Sequence, residues 1–179
     1  MEVFNYVMVL ISVITGLAVT QLLGGIAQLI QEPGRVRIYW VQLVWAAANF
    51  LWVVAWWWFE FSLSRQQWTF QLYLFVIGYA VITYLRCAIT FPPATAGFED
   101  MRAYYYSRRG FAYGLVILQI LVDFADTLLK GWAHLIALGP MYWIGMPALG
   151  VAAIIAIKTR SHIYHAACAL GFLAYGVVF

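Results

Sequence analysis

The chain has 179 residues, 65% of them hydrophobic and 9% charged. A soluble domain is about 25% charged, so its surface could not be covered with these residues. The net charge of +3 is too small to mark a nucleic-acid binder. This composition predicts a single domain, 1–179, that is an all-α polytopic membrane protein. Helices are required because open sheets leave backbone groups unsatisfied in lipid.

Six segments approach the roughly 20 apolar residues that span a ~30 Å hydrocarbon core. They are 4–30, 38–59, 69–91, 111–129, 140–157 and 162–179. The first lacks a basic n-region and is long enough to span, so it reads as a helix rather than a cleaved leader. In it Gly16, Thr20 and Gly24 recur every four residues, a register for close helix contact within the chain or between copies. Gln21 and Gln28 flank that face and are candidates to line a pore.

Glu32-Pro33-Gly34 breaks the chain before the second segment. There Gln42, Trp45, Asn49, Trp52, Trp56 and Glu60 follow helical spacing and share one stripe. Trp45 and Trp52 lie too deep for an interfacial belt. A buried indole needs a partner for its N–H, and Asn49 stands between them to supply one. The stripe is either a packing seam with polar glue or the aromatic wall of a ligand groove. The third segment carries Arg86 near its end, where it can snorkel, and stops at Phe91-Pro92-Pro93. The connection "PPATAGFEDMRAYYYSRRG", 92–110, predicts a loop or short interfacial helix that anchors topology or grips anionic headgroups.

The fourth segment contains Gln119 and ends in "VDFADTLLK". Asp126 and Lys130 are at i, i+4 and predict an interfacial ion pair. Asp123 lies one turn deeper, where a carboxylate costs about 2.5–3.5 kcal/mol on insertion scales, so it must face other helices or water. Glu60, Asp123, Asp126 and His134 fall at the same end of the bundle and together predict an acidic vestibule for a cation or amine. In the fifth segment Pro140 suits the first helical turn, and Pro147 predicts a kink. The sixth is the shortest. Its His162 and His165 can share a small metal site but cannot ligate one haem axially. Cys87 and Cys168 read as small buried hydrophobes, and no cofactor or metal is expected.

Charge sets the orientation. The first, third and fifth connections hold Arg35, Arg37, Arg102, Arg108, Arg109, Lys158 and Arg160, against Arg65 and Lys130 on the other side. The positive-inside rule then puts both termini on the periplasmic side. Tyr39, Trp40, Trp56, Trp57, Trp58, Trp68, Tyr104, Tyr105, Tyr106 and Trp132 fit aromatic belts at span ends. "GLAVTQLLGGIAQLI" from Gly16 and "GLVILQILVDFADTLL" from Gly114 align at Gln21 with Gln119 and Ala27 with Ala125. "YWV" at Tyr39 and "YWI" at Tyr142 open the following helices. These matches predict a 3+3 inverted repeat of the kind transporters use.

No Walker, Rossmann, zincin or rhomboid motif is present, and the aspartate pair lacks the surroundings of a phosphatidyl-transferase. The run "RVRIYWVQLVWAAANFLWVVAWWWFEF…QQWTFQLYLF" resembles uncharacterised integral membrane proteins of bacteria over roughly the first half of the chain. The resemblance implies a bacterial inner-membrane setting and brings no activity and no site residues.

Two functions follow as expectations. One is a small transporter or channel for a solute or ion, with Asp123, Asp126, Glu60, Asn49, Gln21, Gln119, Trp45 and Trp52 as binding residues. The other is an accessory or scaffold subunit of a larger membrane complex. Expected partners are the lipid bilayer and further copies or membrane subunits. An enzyme is the weaker reading, because Arg86, His162 and His165 have no carboxylate on their side besides Glu32, Glu99 and Asp100 in loops.

Overall fold

The computed structural model describes residues 2–93 and 99–178. These form α1 (Glu2–Gln31), α2 (Trp40–Phe59), α3 (Phe70–Ala88), α4 (Met101–Leu129), α5 (Trp132–Ala137), α6 (Gly139–Lys158) and α7 (His162–Val178). A 3₁₀ stretch, Glu60–Arg65, extends α2, and no strand occurs among the described residues.

Five helical segments are long and apolar enough to cross a membrane: Val3–Gln31, Trp40–Arg65, Phe70–Ala88, Met101–Leu129 and Gly139–Lys158. The last helix, α7, is apolar but has 17 residues. At a rise of 1.5 Å it reaches roughly 26 Å, a little short of the hydrocarbon thickness.

Two features differ from the expected threading. α4 starts at Met101 instead of 111, because Asp100 caps it. Its carboxylate accepts from the Arg102 amide at 2.7 Å and the Ala103 amide at 3.3 Å, satisfying N–H groups that a helix start leaves open. A short backbone bridge fixes the cap, with Arg37 N–H donating to Glu99 O and Met101 N–H to Arg37 O. "YYYSRR" is therefore helix and not loop, while residues 94–98 of that connection lie outside the described residues. The second difference is α5, a short helix entered through Gly131, whose φ of +112° favours glycine.

α1 packs mainly on α3, α2 on α7, α4 on α6, and α3 on α4. An inverted repeat of the expected kind would pair α4 with α7 as α1 pairs with α3. The main pair in the second half is α4 with α6, so the packing lends the repeat no support. The larger core lies among α2, α4, α6 and α7. A smaller one joins Phe4, Val7 and Ile11 of α1 to Trp56 and Tyr79.

Gly16, Thr20 and Gly24 are exposed, and nothing approaches either glycine. The within-chain contact expected there is absent. Close approach occurs instead at Gly25, against the Phe91 ring, and at Gly145, against Tyr175. α6 continues through Pro147 as one helix. The belt assignment splits: Trp40, Trp58 and Trp132 are exposed, while Tyr39, Trp56, Tyr104 and Tyr105 are core residues.

Candidate functional site

The α2 stripe is the spine of the interior. Gln42, Trp45, Asn49, Trp56 and Glu60 are all buried, and Trp52 is partly buried. A helix climbs 1.5 Å per residue, so the stripe runs from the arginine-rich end of the bundle to the acidic end. Two cavities lie along it.

The outer cavity, about 60 Å³, is bordered by Trp52, Trp56, Asp123, Asp126, Lys130 and Tyr142, among others. Lys130 Nζ is 2.5 Å from Asp126 Oδ2 and 2.9 Å from Glu60 Oε1. The pair expected at an interface is thus a buried triad, with Glu60 fully covered. Glu60 does not border the cavity and stands behind Lys130, which does. Burial opposes the charge on Lys130, but Glu60 and Asp126 outweigh it and raise its pKa. Burial and the charge on Lys130 lower the pKa of His134, which also borders the cavity and so favours the neutral imidazole. Among the described residues no N–H or hydroxyl donor meets Glu60 Oε2 or Asp126 Oδ1, and Trp56 Nε1 has no acceptor.

Asp123 is partly buried and does not join the triad. Its Oδ1 accepts from Tyr79 Oη at 2.7 Å and its Oδ2 from Tyr142 Oη at 2.8 Å. The Tyr142 hydroxyl also lies 3.0 Å from Thr127 Oγ1. Two phenols, one from α3 and one from α6, thus hold the carboxylate at the cavity wall. Hydrogen bonds to a charged acceptor are worth about 1.5–3 kcal/mol each, enough to offset the insertion cost of the carboxylate.

The inner cavity, about 40 Å³, is bordered by Gln42, Trp45, Asn49, Arg86, Tyr105 and Tyr113, among others. Trp45 Nε1 donates to Tyr105 Oη at 3.1 Å, and not to Asn49 as expected. Asn49 Nδ2 instead donates to Thr90 Oγ1 at 2.9 Å. The Tyr105 and Tyr113 hydroxyls are 2.7 Å apart, and each is 3.1 Å from His165 Nδ1. His165 Nε2 faces the Thr159 carbonyl at 3.1 Å. A carbonyl can only accept, so Nε2 carries a proton, and in the neutral ring Nδ1 accepts from a tyrosine. His162 is bound elsewhere, its Nδ1 2.9 Å from Tyr39 Oη. The two histidines therefore hydrogen-bond to different tyrosines.

Arg86 does not snorkel. It is 3% exposed, and its guanidinium lies 4.9 Å from the centroid of the Trp52 ring. Arg86 borders the inner cavity and Trp52 the outer one, so their stack lies between the two linings.

Of the expected binding residues, Asp123, Asp126, Trp52, Trp45 and Asn49 border a cavity, while Glu60 and Gln119 do not. Gln119 is fully buried and donates to Thr83 Oγ1 at 3.0 Å. Gln21 is exposed on α1 and borders neither cavity. Sequence reasoning missed Tyr79, Tyr142, Tyr105, Tyr113 and the burial of Arg86. The available signal was a set of phenols on apolar helices, where a buried O–H must find a partner.

The fold defines an α-helical protein with several helices long and apolar enough for a membrane, with two small, mostly apolar cavities that carry a few polar side chains. No protein-family model matches the chain, and neither does any curated protein or solved structure.

Proposed function

We propose that the chain is a small transporter of the bacterial inner membrane that carries a small cation or amine. The carrying observation is the pair of cavities stacked on one buried stripe of α2 with the Trp52–Arg86 stack between them. Transport sites commonly lie near mid-membrane between helices, with access alternating from the two sides.

The outer cavity supplies the chemistry for a cation. Asp123, Asp126 and Lys130 border it, and Lys130 pairs with Asp126 but not with Asp123. Indole faces at Trp52 and Trp56 add cation–π attraction. Glu60 holds the Lys130 ammonium against Asp126 and keeps it from closing the cavity. A rotation of Trp52 would then join the two spaces.

In this reading α7 is the sixth span. The arginine-rich ends face the cytoplasm and both termini face the periplasm, as the positive-inside rule requires. The internal repeat is not needed. The second reading, a subunit of a larger complex, draws on the uncovered Gly16–Thr20–Gly24 face of α1.

Uptake of methylammonium and of rubidium into proteoliposomes tests the proposal. Wild type should give flux, and Asp123→Asn should abolish it while the protein stays monodisperse. Flux unchanged in Asp123→Asn removes that residue from the site. No flux of either cation, together with co-purification in fixed ratio with another membrane protein, replaces the transporter with the subunit.

A further inference from the structure

The inner cavity carries the opposite charge to the outer one. Among the described residues no carboxylate pairs with Arg86, and its Nε has no hydrogen-bond partner. Arginine cannot shed its proton in a protein. A desolvated cation–π contact is worth about 2 kcal/mol, whereas an unpaired buried charge costs several kcal/mol. The stack on Trp52 therefore offsets only part of the cost, and a negative group is missing from the balance.

The α2 side chains of the same lining narrow its chemistry. Gln42 Nε2 donates to the Thr90 carbonyl and Asn49 Nδ2 to Thr90 Oγ1, so both amide nitrogens are used. Gln42 Oε1 and Asn49 Oδ1 are left without partners. The lining thus includes one guanidinium and two side chains with spare acceptors, with Arg108, exposed on α4, at its border. A water needs about 10–15 Å³ of such space, so 40 Å³ takes a carboxylate- or phosphate-sized head.

We propose that this cavity binds a compact oxyanion, a carboxylate or phosphate seated on the Nε edge of Arg86. O–H or N–H donors of the same molecule meet Gln42 Oε1 and Asn49 Oδ1. A bare halide leaves those acceptors unmet; a hydroxy acid or a polyol phosphate satisfies them. The oxyanion has two possible sources, a free solute or the headgroup of an anionic lipid. The site does not depend on transport, because its occupancy is read at equilibrium without flux.

The test titrates delipidated protein in neutral detergent with lactate and, separately, inorganic phosphate. Tm and tryptophan fluorescence are followed. A parallel arm compares nanodiscs with and without phosphatidylglycerol. One of these anions should raise Tm and change the fluorescence, and Arg86→Gln should weaken that response at least tenfold. A response to phosphatidylglycerol alone, lost in Arg86→Gln, assigns the site to a lipid headgroup. Asn49→Asp supplies an internal carboxylate beside Arg86. It should raise the ligand-free Tm and abolish the response, and it decides the matter if Arg86→Gln does not fold. Wild type silent to every anion, or either variant responding like wild type, overturns the proposal.

Discussion

Lys130 contacts two buried carboxylates at once, and its removal leaves both uncompensated. Breaking a buried pair this way costs about 3–5 kcal/mol. Lys130→Met should lower stability by that order in chemical unfolding from mixed micelles at pH 7. The pH dependence has a definite sign. The pKa of Lys130 is raised in the folded state. Its contribution is therefore fully present below the unfolded value, about 10.4, and is lost as pH rises through the folded value. The Tm gap between wild type and Lys130→Met should stay constant up to about pH 10 and narrow above it. For Asp123, Tyr79→Phe and Tyr142→Phe each remove one hydrogen bond to a carboxylate, at a cost of about 1.5–3 kcal/mol. Because they share an acceptor, the double variant should depart from additivity by more than ~0.5 kcal/mol. At this scale the sequence marked Asp123 as the anomaly and named its physical need. It could not name Tyr79 and Tyr142, which lie 44 and 19 residues away.

Adjacent glycines on α1 separate propensity from packing. Nothing lies within 4 Å of a Cβ built on Gly24, while one on Gly25 meets the Phe91 ring. Gly24→Leu should be neutral or gain up to about 1 kcal/mol from helix propensity. Gly25→Leu should lose about 1–3 kcal/mol, as overpacking does, and thermal melts of the two purified variants check the contrast. Helix existence and type were legible, because apolar runs between Pro and Gly breakers leave little choice in lipid. The start of α4 was less so. A polar, tyrosine-rich turn reads as loop by hydropathy, and only the Asp100 cap and its bridge to Arg37 make it helix.

The arrangement of helices decides which termini share a side, and labelling of single cysteines in oriented membranes can read it. In a background with Cys87 and Cys168, both buried, replaced by alanine, Gln67→Cys and Ser161→Cys should label from opposite sides. Val178→Cys should label with Gln67→Cys if α7 crosses. Labelling with Ser161→Cys would make α7 a re-entrant or surface helix.

Composition and the placement of the basic residues determined that the protein is built of apolar helices and that its charge is asymmetric along the chain, because these follow from what lipid and a membrane potential tolerate in any fold. Periodicity also determined that the α2 stripe from Gln42 to Glu60 faces inward. Only the tertiary structure decided what the stripe meets. It turned the Asp126–Lys130 pair into a triad with Glu60, gave Asp123 its two tyrosines, left Gln21 exposed, and buried Arg86 against Trp52 with no carboxylate paired to it among the described residues. Spacing along one helix fixes a face and a depth. Which side chain of another helix arrives at that depth depends on how the helices pack, and a single sequence does not encode that in any local pattern.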